Sequence, residues 1–99
     1  MRKIVLILLL SGISLMAFDA PKVYKKCMMC HGKKGEKVAL KSSPIINALS
    51  VDTLTQRLNG LLDGSSTISS KYIKMHQSKL KGVSAAESQA LAEYITALK

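Results

Sequence analysis

Both cysteines of this 99-residue chain fall within one pentapeptide, Cys27-Met28-Met29-Cys30-His31. That spacing constrains the fold more than any other feature. Two intervening residues fill one helical turn, so both sulfurs point to one side. Cys-x-x-Cys-His is the attachment signature of c-type haem. Thioethers at Cys27 and Cys30 reach the two vinyl groups along one porphyrin edge. His31 is then carried under the ring to bind iron through one nitrogen. The other nitrogen needs an acceptor that fixes tautomer and ring angle.

Three other chemistries use cysteines this way. A thioredoxin-type dithiol expects a βαβ context, which the sequence lacks. A zinc site wants four ligands, and only His31 and the distant His76 stand beside the two thiols. A disulfide across one helical turn is geometrically poor.

Residues 1–17 have the layout of a secretory signal peptide. Arg2 and Lys3 precede the apolar run Ile4 to Leu10, and Ser11-Gly12 interrupts it before Ile13 to Ala17. Cleavage is expected after Ala17, with Ala20 as a second site. The competing reading is an uncleaved anchor, but Ile4 to Phe18 falls short of the roughly 20 residues a span needs. The first residues after the run hold no cysteine for lipid attachment. The expectation is a periplasmic protein with no stable membrane anchor, its single domain at 18–99.

That domain is poor in core material. Of 47 hydrophobic residues in the chain, 12 lie in the leader, leaving 35; eight of these are alanine and two are cysteine. The remaining 25 larger apolar side chains are near the limit at which a small domain needs a staple. A haem acting as an apolar core element supplies one, and the chain without it is expected to be largely unfolded.

No run alternates with period two, so strands are not supported. Asp19-Ala20-Pro21 opens a helix that continues through Val23, Tyr24, Cys27 and Met28 and ends at Gly32 and Gly35. Residues 32–49 read as a loop punctuated by Pro44. Ser50 caps a second helix with Leu54, Leu58, Leu61 and Leu62 on one face, stopped by Gly64. After the loop 65–70 comes a short helix from Tyr72 to Lys81. Ser84-Ala85-Ala86-Glu87 is a capping box for the last helix, with Ala90, Leu91, Tyr94, Ile95 and Leu98 as its stripe. The fold class is all-α: about four short helices around one covalently attached haem. Met28, Leu40, Ile45, Ile46, Leu54, Leu58 and Ile73 are the expected apolar shell, or more simply core.

The iron needs a sixth ligand or an open site. Met28 and Met29 sit inside the attachment loop, on the side His31 takes. Met75 lies 44 residues after His31 and is the expected axial ligand. Thioether ligation opposite histidine raises the reduction potential. The alternatives are Met75 as core filler and His76 as the ligand, the latter giving a lower potential.

With Cys27–His31, Met75 and the stretch Ala90 to Ile95 in this order, residues 18–99 resemble a class I cytochrome c of the short periplasmic monohaem type. The resemblance implies the small cytochrome c fold, His31 and Met75 on the iron, and electron delivery to bacterial oxidases or peroxidases. It also implies that Tyr24, three residues before the first cysteine, packs on Tyr94 of the last helix. Pro44 would give its carbonyl to the haem histidine. The sequence departs from the family pattern in carrying His76 where proline often follows the ligand methionine.

Without Arg2 and Lys3 the chain carries 13 Lys/Arg against six Asp/Glu, a net +7. Lysines 22, 25, 26, 33, 34 and 37 cluster around the attachment motif. Such a rim steers a carrier toward redox partners with acidic docking surfaces, an oxidase, peroxidase or cytochrome complex. The plainer reading is a solvated lysine face. Four aromatics in an exported chain argue against nucleic acid. A monomer is the default. No serine or carboxylate pair is placed for acid–base chemistry, so electron transfer rather than enzymatic catalysis is expected. Two other functions remain open: a gas-binding haem sensor with a displaceable Met75, and a haem-free thiol or metal module.

Overall fold

The computed structural model describes residues 18–39 and 43–99. The expected leader, residues 1–17, lies outside the described residues, as does Leu40 of the expected shell. Within them the chain is all-helical: α1 Ala20–Tyr24, α2 Met28–His31, a 3-10 turn Ile46–Ala48, α3 Val51–Asp63, α4 Ser70–Lys79 and α5 Ala85–Thr96. No helix among the described residues is long and apolar enough to cross a membrane.

The single first helix read from the sequence is split in two. Pro21 stands in the first turn of α1, and Asp19 accepts from Lys22 N at 3.2 Å. After Tyr24 the bonds tighten: Lys26 N reaches Val23 O at 3.1 Å and Cys27 N reaches Tyr24 O at 2.8 Å, both three residues back. This 3-10 step re-aims the chain so that α2 starts with Cys27 as its N-cap. Apolar spacing alone does not register it, because Val23, Tyr24, Cys27 and Met28 are spaced as one helix would space them.

The other elements follow local chemistry. Ser50 Oγ accepts from Thr53 N, and Gly64 ends α3 in the left-handed region at φ 82°. The Ser84–Glu87 capping box is complete: Ser84 N donates to Glu87 Oε1 at 2.9 Å and Glu87 N to Ser84 Oγ at 3.2 Å. Helix α4 starts and ends two residues earlier than the 72–81 expected.

Helices α3 and α5 form the main packed pair. Helix α1 and the 3-10 turn pack on α5, and α4 packs on α3. The core they enclose is Tyr24, Leu54, Leu58, Leu80, Leu91, Ala92 and Ile95. Tyr24 lies against Tyr94 with ring centroids 6.0 Å apart and a tilt of 59°, as the family resemblance implies.

Candidate functional site

One face of this core opens into a cavity of about 310 Å³. Helix α3 contributes Leu54, Leu58 and Leu61, and α5 contributes Leu91 and Ile95. Ile46, Leu49 and Leu80 extend the apolar wall. The attachment motif brings Cys27, Cys30 and His31 to the opening from α2 and its cap. Helix α4 brings Met75 and His76 to the same cavity. Residues 44 positions apart thus line one cavity.

The motif is held by bonds that end in its two glycines. Gly32 closes α2 at φ 89°, and its carbonyl accepts the Tyr24 hydroxyl at 2.7 Å. Gly35 sits at φ 73°, which favours glycine, and a Cβ there would press on Ile46 Cγ1 at 3.1 Å and Tyr24 Oη at 3.3 Å. Asn47 then ties the 3-10 turn to this loop, donating from Nδ2 to Lys34 O at 2.9 Å and from N to Gly35 O at 3.1 Å.

Three features match the donor set to a covalent haem. Both cysteines are free thiols. Burial pushes the Cys27 thiol up to about 11, the neighbouring Cys30 adding to the effect. A redox dithiol needs the opposite shift. His31 Nδ1 is buried without a hydrogen-bond partner, as a polar atom set aside for another group would be. Burial, with His76 adding, holds the His31 imidazole below its ordinary range and so in the neutral, metal-binding form. Lys26, Arg57 and Lys79 also line the cavity, cations suited to two propionate carboxylates. The residues present fit a haem c.

Not every expected residue is where the sequence puts it. Ile46, Leu54 and Leu58 line the cavity, but Met28, Ile45 and Ile73 do not. Met28 packs on the core and Ile45 is exposed. Pro44 lines the cavity, yet His31 Nδ1 has no bond to its carbonyl, which accepts from Ser43 Oγ at 3.2 Å.

Two residues with a positional role went unread in the sequence. Gln77 Nε2 donates to Leu61 O at 3.0 Å and Leu62 O at 3.4 Å, pinning α4 to the C-terminal end of α3. Arg57, the one arginine in residues 18–99, lines the cavity from α3. A polar residue one turn from an apolar stripe was the only available signal for either.

A small all-helical chain with a Cys-x-x-Cys-His motif, and with Met75 and His76 brought by a second helix to the same apolar cavity, has the make-up of a monohaem carrier. The sequence profile of the Cytochrome c family matches residues 19–99, and the chain belongs to that family. It is 37% identical over 86 residues to a cytochrome c-553 of Helicobacter pylori strain 26695, covering 87% of this chain and 84% of the relative. It is 32% identical over 83 residues to a cytochrome c-553 of Nitratidesulfovibrio vulgaris strain Miyazaki F, covering 84% and 79%. The chain is thus a small class I cytochrome c that carries haem c covalently on its cysteine pair and transfers electrons.

Proposed function

We propose that the protein is a diffusible one-electron carrier of the periplasm, exported by residues 1–17, with His31 and Met75 as axial ligands of a single haem c. The observation that carries this reading is the convergence of Cys27, Cys30, His31 and Met75 on one apolar cavity. When bound, the haem supplies a one-electron iron couple that two protein ligands leave without an open position.

The chain's own residues do the rest. Cys27 and Cys30 hold the cofactor edge, so retention does not depend on a closed pocket. His31 donates a neutral imidazole, and Met75 a soft thioether that favours the ferrous state and raises the potential. Leu54, Leu58, Leu91 and Ile95 keep water from the far side of the site. Around the motif, Lys22, Lys25, Lys26, Lys33, Lys34 and Lys37 are all exposed, and Met29 stands 91% exposed among them. This basic rim with an apolar centre suits brief docking on an acidic partner, a terminal oxidase, peroxidase or cytochrome complex.

Intact mass of the protein from the exported fraction tests export and attachment together. The expected mass is that of residues 18–99 plus one haem. A haem-free or uncleaved chain overturns the reading. Electron transfer to an acidic partner should slow steeply as salt rises, and salt-insensitive transfer would refute the docking mode.

A further inference from the structure

His76 follows Met75 on α4 and lines the same cavity. Its ring is set in a specific way. Nδ1 lies 2.7 Å from Tyr72 O, one turn back on the same helix. A carbonyl only accepts, so Nδ1 is the donor in this contact and Nε2 is the nitrogen left for another partner. A backbone carbonyl on one ring nitrogen is the usual support of a histidine that binds metal through the other.

The His76 and His31 rings both line the cavity, with centroids 6.4 Å apart and planes tilted by 50°. Metal–imidazole bonds of about 2 Å, with each ring centre about 1 Å beyond its nitrogen, place two imidazoles on opposite sides of one ion about 6 Å apart. A tilted aromatic pair has the same separation, so the distance alone decides nothing. The bond of His76 Nδ1 to the Tyr72 carbonyl and the unpartnered Nδ1 of His31 are what a simple ring contact does not require.

Apart from the Gln77 bonds to α3, helix α4 is loosely set. It has no fully buried residue, and its N-cap Ser69 makes no side-chain capping bond. Such a segment opens or shifts before the α3–α5 pair does. Neighbouring positions on it both reach the cavity, so an exchange of ligands needs only a local movement of α4.

We infer that His76 is an iron-competent reserve ligand, which takes the sixth position through Nε2 whenever the Met75 thioether is lost. This rests on the haem site proposed above and adds a second ligation state to it. Imidazole in place of thioether lowers the reduction potential. The carrier then becomes a low-potential, closed form instead of an open haem that binds external ligands.

The test uses holoprotein of wild type, Met75→Ala and Met75→Ala/His76→Ala. Met75→Ala should lose the far-red ferric absorption band yet remain low-spin, with a lower potential and no uptake of carbon monoxide by the ferrous form. The double variant should become high-spin and bind carbon monoxide, and added imidazole should return it to low spin, which reports an intact cavity. A Met75→Ala protein as high-spin and as open to carbon monoxide as the double variant overturns the inference, while Met75 ligation stands. A wild type without the far-red band, in which His76→Ala alone turns high-spin, supports an iron-competent His76 and overturns the Met75 assignment instead.

Discussion

Replacing Tyr24 by phenylalanine isolates one bond that holds the attachment motif. Tyr24 is wholly buried, its hydroxyl donates to Gly32 O at 2.7 Å and its ring packs on Tyr94. Tyr24→Phe keeps the ring and its partner and removes only the hydroxyl. An acceptor left with no donor in the interior costs about 1–3 kcal/mol. Gly32 O also accepts from Gly35 N at 3.3 Å, so it is not wholly orphaned. The expected loss is therefore that of one net hydrogen bond, about 1 kcal/mol. In a domain this size that lowers Tm by about 4–8 °C.

The same group gives a pH signature. Burial, which persists in the holoprotein, is the main cause that pushes the Tyr24 phenol from 10.0 up to about 12; the Cys27 thiol adds to it only before haem attachment. The folded state therefore holds this proton more tightly than the unfolded chain. That stabilisation is complete below pH 10 and is lost as pH rises from 10 toward 12. Guanidinium unfolding of both holoproteins, followed by circular dichroism from pH 7 to 12, measures both effects. The variant should be less stable at neutral pH, and the gap should narrow above pH 10. A variant as stable as wild type at pH 7, or a gap that widens in alkali, refutes the reasoning.

Four other substitutions have defined outcomes. Gly35→Ala combines a left-handed φ with contacts at 3.1 and 3.3 Å, and should lose at least about 1–2 kcal/mol in thermal unfolding. Ser84→Ala removes the capping box of α5 and should lose about 1 kcal/mol by the same assay, with the haem spectrum unchanged. Leu91→Ala, at a fully buried wall position of the cavity, should lose about 2–5 kcal/mol and weaken the far-red ferric band. Gln77→Ala frees α4 from the Leu61 and Leu62 carbonyls, and should speed loss of the Met75 ligand under denaturant more than it lowers global stability.

Much of the site was legible because its chemistry is local. Cys27, Cys30 and His31 lie about one helical turn apart, and that motif in a short chain with a leader-like start and no other cysteine points to the cofactor. The Ser50 cap, the Ser84–Glu87 box and the leucine face of α3 are likewise set by residues three or four apart. What the sequence hid depends on backbone detail or on distant partners. The 3-10 step at Lys26 and Cys27 leaves apolar spacing intact. Gln77 looks like any surface amide until α4 lies on the end of α3, and the His76 tautomer depends on a carbonyl. The expectation for Pro44 came from family likeness, and the structure gives its carbonyl to Ser43 instead of His31. Helix α4 begins at Ser70 because the Ser69 carbonyl takes the first backbone bonds, from Tyr72 N at 2.9 Å and Ile73 N at 3.0 Å.

The absorption spectrum of the purified holoprotein at neutral pH, oxidised and then reduced, tests the central claim most directly. A haem held by His31 and Met75 predicts a low-spin spectrum in both states, with a far-red ferric band that Met75→Ala abolishes. A high-spin ferric spectrum, or a ferrous form that takes up carbon monoxide at once, would contradict a closed electron carrier.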